Sequence, residues 1–498
     1  MKTTVIIAVM FASLAPVLGG AEAPSIHAPA VFGVRPGAPV LFTIPATGAR
    51  PMTFSAGGLP PTLSLDPETG IITGKAGEQG VLRVRLGAKN QFGQAEKELR
   101  IIVGDRIALT PPMGWSSWNV FGRKINQELI LRQAKAMVDS GLIQHGYTYI
   151  NIDDAWQGER TGPDRALEAN KNFPDLRAMV EAIHRMGLKA GIYSTPFESS
   201  YAGFCGGSAQ NAEGKWEAGK KKFGAVSFAV QDAKQFAALG FDFLKYDWSP
   251  IDLPHVREMR KALLGSGRDI VFSLSNGADF KEAAEYVKLA ELWRTTGDLI
   301  QAWKDADPYW AYSVTESAFT RDRWAPFSGP GHWNDPDMMV LGAIGEGSPH
   351  KPNKLTLEQE RTHFAMWCLL AAPLLLGCDL EKLDADTLSI ITNDEVIAVN
   401  QDELGIQAVR VGVNGSVDFY AKRLADGSHA LGIVNRSSNP VTTGIKKLRY
   451  MGLPEKVRAR DLWQRQDIPD FDPHKTTFTV PGDGIVLLRL WPLESKTN

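Results

Sequence analysis

Cysteine is scarce: the 498 residues hold three, Cys205, Cys368 and Cys378. An odd number without zinc-like spacing excludes a disulfide framework or a cysteine-built metal fold as what holds the chain together. Cys368 and Cys378 flank an apolar run and read as small buried hydrophobes. An excess of charge of one sign is also missing. The 54 basic and 56 acidic side chains leave a net charge of −2 and form no block, so neither nucleic acid nor an anionic membrane is an expected partner. Beyond the N-terminus there is no run of eighteen apolar residues, hence no expected membrane span. No glycine-rich phosphate loop follows the first strand of an α/β pattern, and no Gly-x-Ser-x-Gly elbow occurs at a strand-to-helix turn. Those two gaps argue against a dinucleotide-binding open sheet and a Ser-His-Asp hydrolase.

What is present falls into four stretches. Lys2, an apolar run over 5–18 and the small residues Gly19, Gly20, Ala21 and Ala23 predict a signal peptide over 1–23, with export to periplasm or medium; a buried first strand is the alternative. Residues 27–104 predict an immunoglobulin-like β-sandwich, with strands at 31–34, 40–42, 52–56, 81–86 and 98–103 between turn formers. This segment has no tryptophan or tyrosine, so it reads as a spacer or brace rather than a sugar-binding module.

Over 105–402 strand-like runs alternate with helical ones. The strands are expected at 114–118, 147–152, 189–193, 243–246, 270–274, 292–294, about 332–333 and 371–376, with helices at 127–138, 176–186, 229–238, 253–264 and 357–367. Eight such units predict a central (β/α)8 TIM barrel. Over 403–498 the pattern returns to β, with strands at 409–413, 417–421, 429–435, 444–448, 458–461, 476–480 and 484–491, predicting a C-terminal antiparallel β domain.

The polar residues of the barrel fall where its strands end. Trp118 follows the first, Asp153 and Asp154 the second, Tyr193 the third and Asp247 the fourth; Ser275 follows the fifth, Arg294 and Asp298 the sixth, and Asp335 and Asp337 the seventh. Strand ends converge on the mouth, where barrel chemistry is done. Carboxylates with arginine and aromatics, and no histidine or cysteine cluster, suit glycosidic bond hydrolysis, in which one carboxyl attacks or activates water and another protonates the leaving oxygen. Lys245 stands two residues before Asp247 and therefore on the same strand face. A divalent cation on Asp153, Asp154, Asp335 and Asp337 is the competing chemistry. Trp118, Tyr193, Trp248 and Trp333, read as lining the mouth, count against it, and no metal or cofactor is expected. A non-catalytic sugar-binding barrel is the other class to be tested.

The motifs Pro112-Met-Gly-Trp-Ser-Ser-Trp-Asn119, Ile152-Asp-Asp154, Leu244-Lys-Tyr-Asp247, Trp293-Arg-Thr-Thr-Gly-Asp298 and Gly331-His-Trp-Asn-Asp-Pro-Asp-Met338 together resemble glycoside hydrolase family 27, the α-galactosidases and α-N-acetylgalactosaminidases. The resemblance implies a retaining double displacement on terminal α-galactosides of oligosaccharides, polysaccharides or glycoconjugates. It implies Asp247 as nucleophile and Asp298 as acid/base. Trp118 would wall the sugar, Asp153 and Asp154 would take O6 and O4, and Lys245 would take O3 and O4. Tyr193 would line the site near the nucleophile, Arg294 and Asp337 would serve the O2 side, and Asp335 and Trp333 would support. Two departures stand out. Family members pair a cysteine at the position of Tyr201 with one near Ser249, and neither is present here. On the loop after the fifth strand, Ser275 and Ala278 resemble the small residues of the α-N-acetylgalactosaminidase pattern; a different loop conformation, with Asn276 or Asp279 filling the gap, is the alternative.

Overall fold

The computed structural model describes residues 6–7, 22–307, 311–345, 354–445 and 448–493. The leader expected over 1–23 lies almost entirely outside these residues; Ile6–Ile7 pairs in parallel with Thr477 and Phe478.

Eight parallel strands form the central sheet: β1 (Met113–Ser116), β2 (Tyr149–Asn151), β3 (Lys189–Ser194), β4 (Phe243–Asp247), β5 (Val271–Ser275), β6 (Leu292–Arg294), β7 (Trp333–Asp335) and β8 (Leu374–Leu376). They neighbour one another in chain order, and β8 returns to pair with β1. The remaining gap is closed by a parallel bridge between Met339 and Leu376, so the sheet curls into a barrel. The period-2 alternation of a strand divides its side chains between two compartments. Leu244, Tyr246 and Trp248 of one parity join the core between strands and surrounding helices. Phe243, with Tyr149, Val271, Leu292 and Trp333 from other strands, fills the barrel floor. Lys245 and Asp247 continue that inward parity toward the mouth.

The N-terminal module packs two sheets around its own core. One orders Val31–Val34, Gly93–Val103, Gly80–Asn90 and Thr53–Gly57; the other orders Pro39–Thr43, Ile71–Lys75 and Leu63–Leu65. Leu63–Leu65 and Ile71–Lys75, which were not among the strands expected from sequence, are strands of the second sheet. The module seats under the barrel floor. The Arg35 backbone N–H donates to Asp269 Oδ2 at 2.9 Å, and its side chain binds Asp269 and the Arg268 carbonyl. Thr43 Oγ1 donates to the Gly187 carbonyl at 2.7 Å. The Lys189 ammonium lies 5.0 Å from the Phe32 ring centroid of the module and 5.2 Å from that of Tyr149 in the floor.

The C-terminal domain is antiparallel, ordered Val409–Asn414, Val417–Arg423, His429–Asn435, Ile485–Pro492, Val457–Asp461 and Gln466–Ile468, with Val441–Gly444 and Thr477–Val480 forming a second layer. The strand expected at 444–448 lies earlier, at Val441–Gly444, and Leu448–Met451 is a short 3-10 turn. The domain locks onto the helix between β7 and β8, Leu357–Leu369, where Lys422 Nζ donates to the Cys368 carbonyl at 3.1 Å. All three cysteines are buried and free. Among the described residues no helix is long and apolar enough to cross a membrane.

Candidate active site

A crevice of about 1110 Å³ runs between the N-terminal module and the barrel floor. Its carboxylates, Asp242 and Asp269, are already committed to His184, Arg268 and Arg35. A second group of carboxylates gathers at the other end of the strands. There a cavity of about 370 Å³ is lined by Ser116, Asn151, Asp153, Lys245, Ser273, Ser275, Arg294, Asp335 and Asp337, contributed by β1, β2, β4, β5, β6 and β7 or the residues just beyond them. Gly191 of β3 lets Asn151 stand in this layer: a Cβ at Gly191 would lie 1.9 Å from Asn151 Oδ1.

Asp247 closes β4 and is buried. Both its oxygens are occupied by neutral donors: the Tyr193 hydroxyl at 2.8 Å to Oδ2 and the Asn276 amide at 2.6 Å to Oδ1. Burial pushes its carboxyl up to about 7; the charge of Asp298 acts in the same direction, while Lys245 and the Tyr193 bond oppose it. The charge of Asp298 therefore reaches Asp247. Asp298 itself is at the rim, its side chain 45 % exposed against 3 % for Arg294, whose NH2 group lies 3.2 Å from Asp298 and 2.7 Å from Asp337.

The rest is a lattice of buried charge, stable only because each member is paired or hydrogen-bonded. Lys245 Nζ meets Asp153 Oδ2 at 2.9 Å, and the Ser116 hydroxyl reaches the same oxygen at 3.2 Å. Burial alone would lower the Lys245 ammonium; Asp153 and Asp247 outweigh it and hold it protonated. Asp154 accepts from the Ala155 and Ala202 backbones at 2.7 and 2.8 Å and from Gln157 at 3.1 Å, and burial raises its carboxyl against those bonds. Asp337 has a left-handed backbone, φ 89°, which lets its carboxylate cap the Met338 and Leu299 N–H groups at 2.7 Å each. Burial lifts it to about 6, against Arg294. Asp335 accepts from the Asp337 N–H at 2.8 Å, its carboxyl also raised by burial. Among the described residues no group of three or more His, Cys, Asp or Glu is placed to hold a metal ion.

Of the residues singled out from sequence, Asp153, Lys245, Ser275, Arg294, Asp335 and Asp337 line the cavity, and Tyr193 and Asp247 are joined beside it. Trp118, two residues past β1, is partly buried against the inner-barrel cluster. Asp154 does not line the cavity; it anchors the loop at Ala202. Three placements need correction. Trp333 begins β7 and belongs to the floor, its indole N–H donated to the Ala108 carbonyl at 2.8 Å, so it does not wall the mouth. Trp248 has the opposite parity to Asp247 and packs into the outer core, bonded to Asp252 at 3.1 Å. Ala278 lies outside the cavity: its N–H donates to the Arg294 carbonyl at 2.7 Å and its methyl packs on the outer core.

Asn276 is what fills the gap on that loop. Its φ of 75° turns the side chain back onto Asp247, whereas Asp279 caps the Lys281 N–H away from the site. Tyr201 was not assigned a role from sequence. Its hydroxyl stands beside the Asn276 amide and the Ser249 backbone, and burial with the nearby Asp247 pushes it up to about 12. The contact bridges the same two loops that the expected disulfide would have joined. A tyrosine in place of a half-cystine was the available signal.

Comparison with known proteins agrees with this arrangement. The family described as alpha galactosidase A matches residues 110–402, the alpha galactosidase C-terminal beta sandwich domain matches 414–490, and an Ig domain matches 23–104. Alpha-galactosidase 2 of Arabidopsis thaliana is 38 % identical over 372 residues, covering 73 % of this chain and 85 % of that protein. The alpha-N-acetylgalactosaminidase of Homo sapiens is 30 % identical over 424 residues, covering 79 % and 95 %. A crystal structure of a candidate α-galactosidase/melibiase from Bacteroides fragilis superposes with a TM-score of 0.84 at 34 % identity, covering 94 % of this chain and 98 % of that one.

Proposed function

The chain belongs to the alpha galactosidase A family, glycoside hydrolase family 27, and from that membership we propose that it removes terminal non-reducing α-D-galactosyl residues by double displacement, with Asp247 as nucleophile and Asp298 as acid/base. The observation that supports the roles is the difference between the two carboxyls: Asp247 is enclosed and doubly hydrogen-bonded, whereas Asp298 stands at the rim beside a buried arginine. The enclosed group suits attack on an anomeric carbon held in the cavity. The rim group suits proton exchange with a leaving oxygen and then with water.

In this reading Asp247 attacks C1 while Asp298 protonates the glycosidic oxygen, and a β-galactosyl ester on Asp247 forms as the aglycone leaves. The carboxylate left on Asp298 faces Arg294. Water then attacks the ester, Asp298 takes its proton, and α-galactose departs. Lys245 and Asp153, already paired, meet sugar hydroxyls on one side; Arg294 and Asp337 meet O2. Export through the leader at 1–23 is part of the same proposal.

The acetamido alternative drew on Ser275 and Ala278 together; only Ser275 reaches the cavity. Side-by-side hydrolysis of p-nitrophenyl α-galactoside and p-nitrophenyl α-N-acetylgalactosaminide tests the choice. The galactoside is expected to be the better substrate; preference for the acetamido sugar overturns the assignment, and hydrolysis of neither overturns the enzyme reading.

Asn276 gives a pH test. Its amide donates to Oδ1 of Asp247 and so favours the charged carboxylate. Asn276→Ala removes the donor, so the nucleophile's pKa rises and the acidic limb of kcat/KM moves to higher pH. A hydrogen bond to a charged group contributes about 1.5–3 kcal/mol, so kcat/KM falls roughly 10- to 100-fold. A profile that keeps its acidic limb in place contradicts this role.

A further inference from the structure

Asp337 has a backbone conformation that side-chain-bearing residues rarely adopt, φ 89°, and such a residue keeps it only where its surroundings hold it there. Much of that hold comes from one helix, Leu357–Leu369. Its residues Glu360, His363 and Trp367 follow at helical spacing, so they share a face, and all three are buried. The segment 337–342 runs along this face in the reverse direction. Glu360 Oε1 accepts the Gly342 N–H at 2.7 Å, His363 Nε2 accepts the Val340 N–H at 3.1 Å, and the Trp367 indole N–H donates to the Asp337 carbonyl at 2.8 Å. From the stretch just after Asp298, Gln301 donates to the Val340 and Gly342 carbonyls at 3.2 and 3.0 Å. The neighbouring face of the helix is braced by the C-terminal domain, where Gln359 donates to the Asp483 carboxylate at 3.0 Å and Thr362 to its carbonyl at 2.8 Å.

The histidine is not there for packing. Its ring lies edge-on to Trp367, with centroids 4.1 Å apart and planes at 80°. Burial pushes its pKa down to about 3, so the imidazole is neutral. With Nε2 accepting, the proton sits on Nδ1, a buried atom without a hydrogen-bond partner among the described residues. A leucine would fill the space without an orphaned N–H, which is costly in a dry interior. What the imidazole supplies, and leucine cannot, is the acceptor for Val340.

The clamp reaches one of the two reacting groups. Asp337 Oδ2 accepts the N–H of Leu299, next to Asp298, at 2.7 Å, and pairs with Arg294, which in turn meets Asp298. Asp247 is held separately, by Tyr193 and Asn276. We propose that Glu360, His363 and Trp367 are positioning residues for the acid/base: through the segment 337–342 they fix Asp337, and through Leu299 and Arg294 they hold Asp298 against the leaving oxygen. This rests on the galactosidase reading and brings the helix, with the C-terminal domain behind it, into the proton transfer.

The test compares kcat/KM for melibiose, galactose α-linked to glucose, with that for p-nitrophenyl α-galactoside, whose leaving group needs no proton. His363→Leu keeps the bulk and removes the acceptor. Its melibiose-to-aryl ratio is expected to fall roughly 10- to 100-fold, mostly through kcat, the scale on which a small misplacement of a catalytic group acts. Any loss through Asp337 at O2 is common to both substrates and cancels in the ratio. His363→Gln, whose amide oxygen can take the Val340 N–H, is expected to recover most of the ratio. Trp367→Phe removes the N–H on the Asp337 carbonyl and keeps the ring packing; it should lower the ratio too, and it decides the matter where His363→Leu does not fold. An unchanged ratio in the folded variants overturns the proposal, whether both substrates slow together or neither does, and a loss that His363→Gln does not repair overturns the role of the Val340 bond. Failure of the unaltered enzyme on both substrates instead overturns the galactosidase reading, so the two failures are told apart.

Discussion

Asp247→Gly is expected to fold normally and to lose turnover by about 10⁴- to 10⁶-fold, the scale on which removing a covalent nucleophile acts. The substitution removes the carboxylate and the acceptor for Tyr193 and Asn276, and leaves a space of carboxyl size under the anomeric carbon. Azide fits that space and carries the charge that Lys245 faces. With an activated galactoside, added azide should therefore restore measurable product, and the product should be the β-galactosyl azide, since the attack comes from the side Asp247 occupied. Loss of activity alone would not separate a nucleophile from a charge that merely supports the site. The β-configured azide does, and its failure to form on correctly folded protein removes Asp247 from the role.

Asp298→Ala should give the opposite anomer. Without the acid, a poor leaving group such as a sugar alcohol waits for a proton from solvent, and kcat/KM for an oligosaccharide should drop about 10²- to 10⁴-fold. A p-nitrophenolate leaves without help, so the first step survives with an aryl galactoside while the second, deprived of its base, becomes limiting. The expected record is a burst of nitrophenolate followed by slow turnover, with an apparent KM below that of the unaltered enzyme. Azide attacks the covalent intermediate without needing a base, so it should accelerate turnover and yield α-galactosyl azide. Equal losses on aryl and sugar leaving groups, with no azide product, would show that Asp298 serves only to hold Arg294.

The two variants read one geometry from its two sides. In a retaining glycosidase the carboxyls stand about 5–5.5 Å apart, close enough to work on one anomeric carbon. The charge of Asp298 acts on Asp247, and Arg294 feels both carboxylates.

Much of this was legible in the chain because strand parity is a short-range rule. Lys245 and Asp247 share a face by spacing alone, and the fall of polar residues at successive strand ends marks the mouth before any coordinates are seen. The same rule, applied strictly, would have placed Trp248 outward, since it is one residue from Asp247. Trp333 was misplaced for a different reason: its parity is inward, but depth along β7 decides between floor and mouth, and a sequence does not state depth. Ala278 and Asn276 depended on a left-handed turn of the backbone at 276, which any reading by spacing alone assigns to the wrong side chain. The short helices Ala385–Ile391 and Asn-capped Asp394–Asn400 were missed because seven residues carry too little periodicity to register. The attachment of the N-terminal module was out of reach entirely, since Arg35 and Asp269 are 234 positions apart and each looks like an ordinary surface charge.

That attachment divides the labour of the barrel between its two ends. Strand β3 begins at Lys189, under Phe32 of the module, and finishes with Tyr193 and Ser194 at the site, so one extended segment roughly 13 Å long joins tether to workplace. Because the mooring is below, the module leaves the catalytic entrance unobstructed for an α-galactoside arriving from the far side.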